Sequence, residues 1–153
     1  MNLCCEVLER LSGKTLVTAE SLTGGGIGAA LTAVPGSSQV YKGGVISYTN
    51  WVKENILGVP GEVLETYGAV SAQTAQAMAL GVRELLKADV AVAVTGLAGP
   101  GGDEFGNPVG TVFIGYQDGK TAQVIACHFT GTREEIRIQT IDRALKLVLE
   151  NAK

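Results

Sequence analysis

Asp89-Val90-Ala91-Val92-Ala93-Val94-Thr95 (residues 89–95) is an unbroken Val/Ala run, followed at once by glycine-rich sequence. A strand with one face in water alternates apolar and polar residues, whereas a strand covered on both faces does not. The run therefore predicts a central strand with helices above and below it. Upstream, Ser71 caps a long helix to about Lys87, with Ala75, Met78, Ala79, Val82 and Leu86 turned inward. Pro60 opens a shorter helix that Gly68 ends, and Thr49 or Asn50 caps another to about Leu57. Val45–Tyr48 and Thr15–Ala19 read as two further strands. Between them, Thr23–Val34 opens with three glycines and continues as an Ala-rich helix, stopped by Pro35-Gly36. Residues 2–12 form an amphipathic helix with Leu3, Val7, Leu8 and Leu11 on one side. Downstream, Val109–Tyr116 and Ala122–Phe129 make a hairpin turning at Asp118-Gly119, and Thr132 to about Glu150 is a final helix. Strands alternating with helices, then a hairpin, predict an α/β fold: a three-layer α/β/α sandwich with a mixed, mostly parallel sheet. The 153 residues fit one domain, 1–153, large enough to bury a core without disulfides or metals.

Composition narrows the function. The formal net charge is −3, which argues against a nucleic-acid partner, since such proteins carry basic patches. Cys4, Cys5 and Cys127 form no CxxC pair, so neither a zinc site nor a disulfide framework is expected, and reduced thiols in a cytoplasm are the simplest reading. No signal peptide and no bilayer-spanning stretch is evident, so no membrane partner is expected.

In α/β folds ligands sit at the carboxyl ends of strands, which directs attention to the loops after Ala19, Tyr48, Val94 and Phe129. Glu20-Ser21-Leu22-Thr23-Gly24-Gly25-Gly26 follows the first strand. Its glycines let N–H groups approach an anion at a helix N-terminus, making Ser21, Thr23, Gly24 and Gly25 candidate binding residues; a tight turn with close helix packing is the other reading. Gly24-x-Gly26-x-x-Ala29 matches a dinucleotide fingerprint, but no acidic residue lies between Glu20 and Glu54 to hold a ribose, so a nicotinamide dinucleotide cofactor site is rejected. Pro35-Gly36-Ser37-Ser38 precedes Tyr48 and Lys53. A nucleophilic serine needs a base, and the single histidine, His128, lies far along the chain. A lysine serves if its pKa falls toward neutrality. With Asn50 as cap, Lys53 lies in a first helical turn, where the dipole favours the neutral amine. Tyr48 can then relay a proton or orient Ser38. Thr95, Gly96 and Gly99 open the glycine-rich loop after the central strand and are further binding candidates. Arg133 and Arg137 stand one helical turn apart and can fork onto phosphate; Arg133 reads better as a surface ion-pairing residue, leaving Arg137 as the candidate counter-charge.

The segments AESLTGGG (19–26), VPGSSQVYKGGVISYTNWVKENILGV (34–59), YGAVSAQTAQAMA (67–79), VTGLAGPGG (94–102), NPVGTVFIG (107–115) and FTGTREEIR (129–137) together resemble the C-terminal domain of CinA, also found as stand-alone nicotinamide-nucleotide amidases. The resemblance covers nearly the whole chain. It implies hydrolysis of nicotinamide mononucleotide (NMN) to nicotinate mononucleotide and ammonia, by a Ser-Tyr-Lys set that needs no metal or other cofactor. Matched by motif, that set falls on Ser38, Tyr48 and Lys53, with Gly36 and Ser37 beside the substrate. The family often has Cys where this chain has Leu22, so a Cys nucleophile there is impossible, which favours Ser38. Whether Ser37 or Ser38 faces the ligand stays open. The expected mechanism has Ser38 attack the carboxamide, Lys53 take its proton, and backbone N–H groups near residues 36–38 or 24–26 hold the oxyanion. The phosphate is expected against the glycine loop, with Arg137 opposite. A homo-oligomer is implied by the resemblance alone. The alternative is a non-catalytic pyridine-nucleotide-binding module.

Overall fold

The computed structural model describes residues 2–152. Five strands, β1 (Leu16–Glu20), β2 (Tyr41–Ile46), β3 (Val90–Gly96), β4 (Thr111–Gln117) and β5 (Ala122–His128), form one sheet in the order β2-β1-β3-β4-β5. β1 pairs in parallel with β2 and β3, and β4 runs against both of its neighbours. Four of the five strands thus point the same way, in the mixed, mostly parallel sheet expected. β1 is buried throughout, and so is β3 up to Thr95.

The two faces of β3 divide the core. Val90, Val92 and Val94 pack toward α1 (Leu3–Arg10), α2 (Gly26–Thr32) and α6 (Arg133–Asn151). Ala91 and Ala93 pack under Met78, Ala79 and Val82 of α5 (Ala72–Leu86), beside α3 (Asn50–Asn55) and α4 (Gly61–Tyr67). Small residues on that second face let α5 lie very close to the sheet. A Cβ at Gly115 of β4 would stand 2.6 Å from the Ala75 carbonyl oxygen, a separation no side chain tolerates.

Helix boundaries follow the chemistry of the ends. The Ser71 hydroxyl accepts from the Thr74 N–H, and Thr132 with Glu135 forms a reciprocal capping box on α6. The hairpin turns where expected, with the Asp118 carboxylate accepting from the Lys120 and Thr121 N–H groups. β2 starts at Tyr41, earlier than Val45, because Gly43-Gly44 conceals strand pattern in the sequence. Lys42 is bulged, the register passing from Leu16↔Tyr41 to Val17↔Gly43. The carboxyl ends of β1, β2 and β3 lie side by side and deliver the loops that build the site.

Candidate active site

Where β1 ends, Ser21 leaves the sheet; its N–H still donates to the Val94 carbonyl of β3. Where β2 ends, the chain passes through Ser47 and Tyr48 into the six-residue α3, whose fourth residue is Lys53. These two exits meet. Lys53 is 1% exposed, and its Nζ lies 3.0 Å from Ser21 Oγ, 2.8 Å from the Ser47 carbonyl oxygen and 3.2 Å from the Tyr48 carbonyl oxygen. Among the described residues no carboxylate pairs with it. Burial without a counter-ion lowers its pKa from 10.5 to about 8. The neutral amine has two N–H bonds and one lone pair. The two carbonyls can accept only from the N–H bonds, so the lone pair is left facing the Ser21 hydroxyl. That is the arrangement of a general base against a nucleophile. The cause of the lowered pKa differs from the one expected: Thr49, not Asn50, is the cap, Lys53 lies a full turn into α3, and burial rather than the helix dipole does the shifting.

Ser38 is not part of this meeting. It lies exposed in a short 3-10 turn, Ser37–Gln39, that precedes β2. Six residues of strand at roughly 3.3 Å each separate it from the Tyr48 end, a distance of about 20 Å. Ser37 is buried in the same turn with its N–H on the Val34 carbonyl, and Gly36 lines a separate groove beside α1. Residues 36–38 are therefore not brought to Lys53 as expected: they close α2 and start β2 at the end of the strand away from the cleft. The serine beside Lys53 is Ser21.

A cleft of about 300 Å³ opens over Ser21 and Lys53. Ala69, Val70, Leu97 and Ala98 give it apolar walls, and Thr95, Gly96, Gly99 and Gly101 complete the β3 side. Thr95 is buried and donates its hydroxyl to the Ala69 carbonyl, tying that wall to the sheet. Tyr48 stands at the rim, 57% exposed, with its hydroxyl 3.2 Å from Arg133 Nη2. The other arm of the same guanidinium donates to the Gly99 carbonyl. Arg133, read from sequence as a surface residue, is thus the rim cation. Its signal was present: it is the first residue of α6, where the dipole opposes positive charge.

The glycine loop is committed differently than expected. The N–H groups of Ile27 and Gly28, which a phosphate would use at the start of α2, donate to the buried Glu20 carboxylate at 2.7 and 3.0 Å. The Thr23 hydroxyl donates to the same carboxylate at 2.7 Å. Gly24 and Gly25 take positive φ, 61° and 101°, to make the turn. Arg137 donates to the Leu22 and Thr23 carbonyls at 3.0 and 3.1 Å, so its guanidinium braces the loop and is not a free counter-charge. Among the described residues, the N–H groups of Leu22 and Thr23 donate to no acceptor, although both residues are buried.

The family model for the CinA C-terminal domain matches residues 3–152. The chain is 57% identical over 115 residues to a CinA-like protein of Synechococcus sp. (strain CC9311), covering 74% of this chain and 27% of that one. It is 43% identical over 136 residues to a putative competence-damage inducible protein of Desulforudis audaxviator, of whose length it spans 33%. Among solved structures, the competence damage-inducible protein A from Klebsiella pneumoniae superposes with a TM-score of 0.95 at 36% identity, over 97% of this chain and 94% of that one. A competence/damage inducible protein from Agrobacterium tumefaciens gives 0.93 at 40% identity, over 97% and 92%. On its sequence, its five-stranded sheet and the loops that sheet presents, this chain belongs to the CinA C-terminal domain family.

Proposed function

We propose that the cleft hydrolyses the carboxamide of NMN, with Ser21 as nucleophile, Lys53 as general base and then general acid, and Tyr48 as a hydrogen-bond donor at the rim. The observation that carries this is the buried, unpaired Lys53 amine 3.0 Å from the Ser21 hydroxyl. Ser21 Oγ attacks the carboxamide carbon and its proton passes to Lys53. The Leu22 N–H, next in chain to the nucleophile, and the Thr23 N–H hold the oxyanion. Collapse breaks the C–N bond, and ammonia leaves with the proton from Lys53. Tyr48, which accepts from Arg133, keeps its own O–H free to donate toward the departing nitrogen. Water, deprotonated by Lys53, then cleaves the acyl ester, returning Ser21 and nicotinate mononucleotide. The apolar walls suit a pyridine ring, and Arg133 suits the 5′-phosphate.

Ammonia release from NMN, with Lys53→Met alongside, tests the reading. Release by the parent and none by the variant supports it. Calorimetric binding of NMN with no ammonia from either protein favours the nucleotide-binding module instead. Homo-oligomerisation in a cytoplasm accompanies this reading, and light scattering of the purified protein reads the assembly.

A further inference from the structure

Two charged side chains beside the cleft have no role in the steps above. Glu20 is 2% exposed, and its carboxylate takes hydrogen bonds from the Thr18 hydroxyl (3.3 Å), the Thr23 hydroxyl (2.7 Å), the Ile27 N–H (2.7 Å) and the Gly28 N–H (3.0 Å). A buried carboxylate is costly unless saturated in this way. Arg137 reaches across from α6 to the Leu22 and Thr23 carbonyls. Both residues act on the segment between Ser21 and the start of α2.

We propose that Glu20 and Arg137 are positioning residues that together hold the Ser21–Gly25 turn so that its unpaired N–H groups receive the oxyanion; this rests on the amidase reading above. Peptide geometry couples these contacts to the N–H groups. In a trans peptide the C=O and N–H point in opposite directions. Arg137 Nε on the Leu22 carbonyl therefore fixes the direction of the Thr23 N–H, which belongs to the same peptide. The Gly24 N–H on the Ser21 carbonyl fixes the Leu22 N–H in the same manner. Glu20 sets the other end. It anchors the Thr23 side chain and the first N–H groups of α2, so the turn cannot unwind into the helix. Its negative charge is also best placed at a helix N-terminus. The carboxylate thereby takes donors that an anionic ligand would seek there, and among the described residues the buried Leu22 and Thr23 N–H groups are left without a partner.

The test uses Arg137→Met, Arg137→Lys and Glu20→Gln in the full chain, with three readouts. The first is the rate at which a fluorophosphonate labels Ser21, located by peptide mass spectrometry. In that step the Ser21 Oγ–P bond forms, the P–F bond breaks, fluoride leaves and the serine proton passes to Lys53. The second is kcat and KM for NMN, and the third is the thermal midpoint. Removal of one oxyanion donor costs on the order of 100-fold, so misaiming one predicts at least a roughly 10-fold loss in labelling and in kcat for Arg137→Met and Glu20→Gln, with KM within about twofold. Arg137→Lys, which can still reach one carbonyl, recovers part of the loss. A purely structural role would lower the midpoint and leave labelling and kcat of the folded protein at the parent's values; that result overturns the proposal. If the parent is labelled at Ser21 but releases no ammonia from NMN, the substrate assignment fails while labelling of the variants still decides the positioning role. A folded parent that is not labelled at all overturns both.

Discussion

Replacing Lys53 by Met should change stability in a way that depends on pH, and the size follows from the site. The folded-state pKa of about 8 lies below the unfolded value of 10.5. Between those values the unfolded chain binds more protons than the folded one, so the parent's stability rises with pH through this window. Below pH 8 the full penalty for burying the amine is present, and above 10.5 it is absent. Each pKa unit is worth about 1.4 kcal/mol, so moving from pH 7 to pH 10 relieves the parent of roughly 2.5 kcal/mol. Met fills much of the same volume and does not titrate. It also leaves the Ser47 and Tyr48 carbonyls without the Lys53 donor, but that cost is the same at both pH values. The difference in unfolding free energy, variant minus parent, should therefore be about 2 to 3 kcal/mol more positive at pH 7 than at pH 10. Urea denaturation of both proteins at the two pH values measures it, and other titrating groups cancel in the comparison. A difference that does not change with pH would refute the claim that Lys53 is buried without a counter-charge.

Other consequences are simpler to read. If neutral Lys53 is the base as proposed, the turnover of NMN as kcat/KM should rise with pH and level off above about 8; a profile that falls through this range would remove Lys53 from that role. Arg133→Met should raise KM for NMN by roughly 10-fold or more while barely altering the weaker turnover of the phosphate-free riboside, which steady-state kinetics on the two substrates resolves. Ser47→Ala should stabilise the fold by about 1 kcal/mol in chemical denaturation, since Ser47 Oγ is buried and finds no hydrogen-bond partner among the described residues. Gly81→Ala, stabilising in most helices, should here cost about 1 to 3 kcal/mol, because the new Cβ would meet the Leu57 carbonyl oxygen.

The layers of the fold are legible in the chain because burial on two faces leaves a direct mark. Val90 to Val94 carries no polar residue, and the helix after Ser71 places Ala75, Met78, Ala79 and Val82 on one side. Gly43-Gly44 carries no such mark, since glycine has no side chain to show which face is covered, and the start of β2 was hidden there. Tyr48, Lys53, Thr95, Gly96 and Gly99, singled out from strand ends and helix starts, all line the candidate cleft. For the serine, sequence and structure differ: the motif match picks Ser38, and the structure sets Ser21 beside Lys53. Ser38 precedes its strand, and a ligand site at carboxyl strand ends has no use for it, whereas Ser21 follows β1 directly. Ser21 is legible as a candidate binding residue of the glycine loop; its meeting with Lys53, 32 residues away in the chain, is not. The roles of Glu20 and Arg137 were not readable, because each depends on contacts between residues far apart in sequence or on backbone direction.

The most direct test of Ser21 as the nucleophile sets Ser21→Ala beside Ser38→Ala and measures ammonia released from NMN by each purified protein and by the parent. Release by the parent and by Ser38→Ala at similar rates, with none above background from Ser21→Ala, is the expected result. Retained release in Ser21→Ala, or its loss in a folded Ser38→Ala, would contradict it.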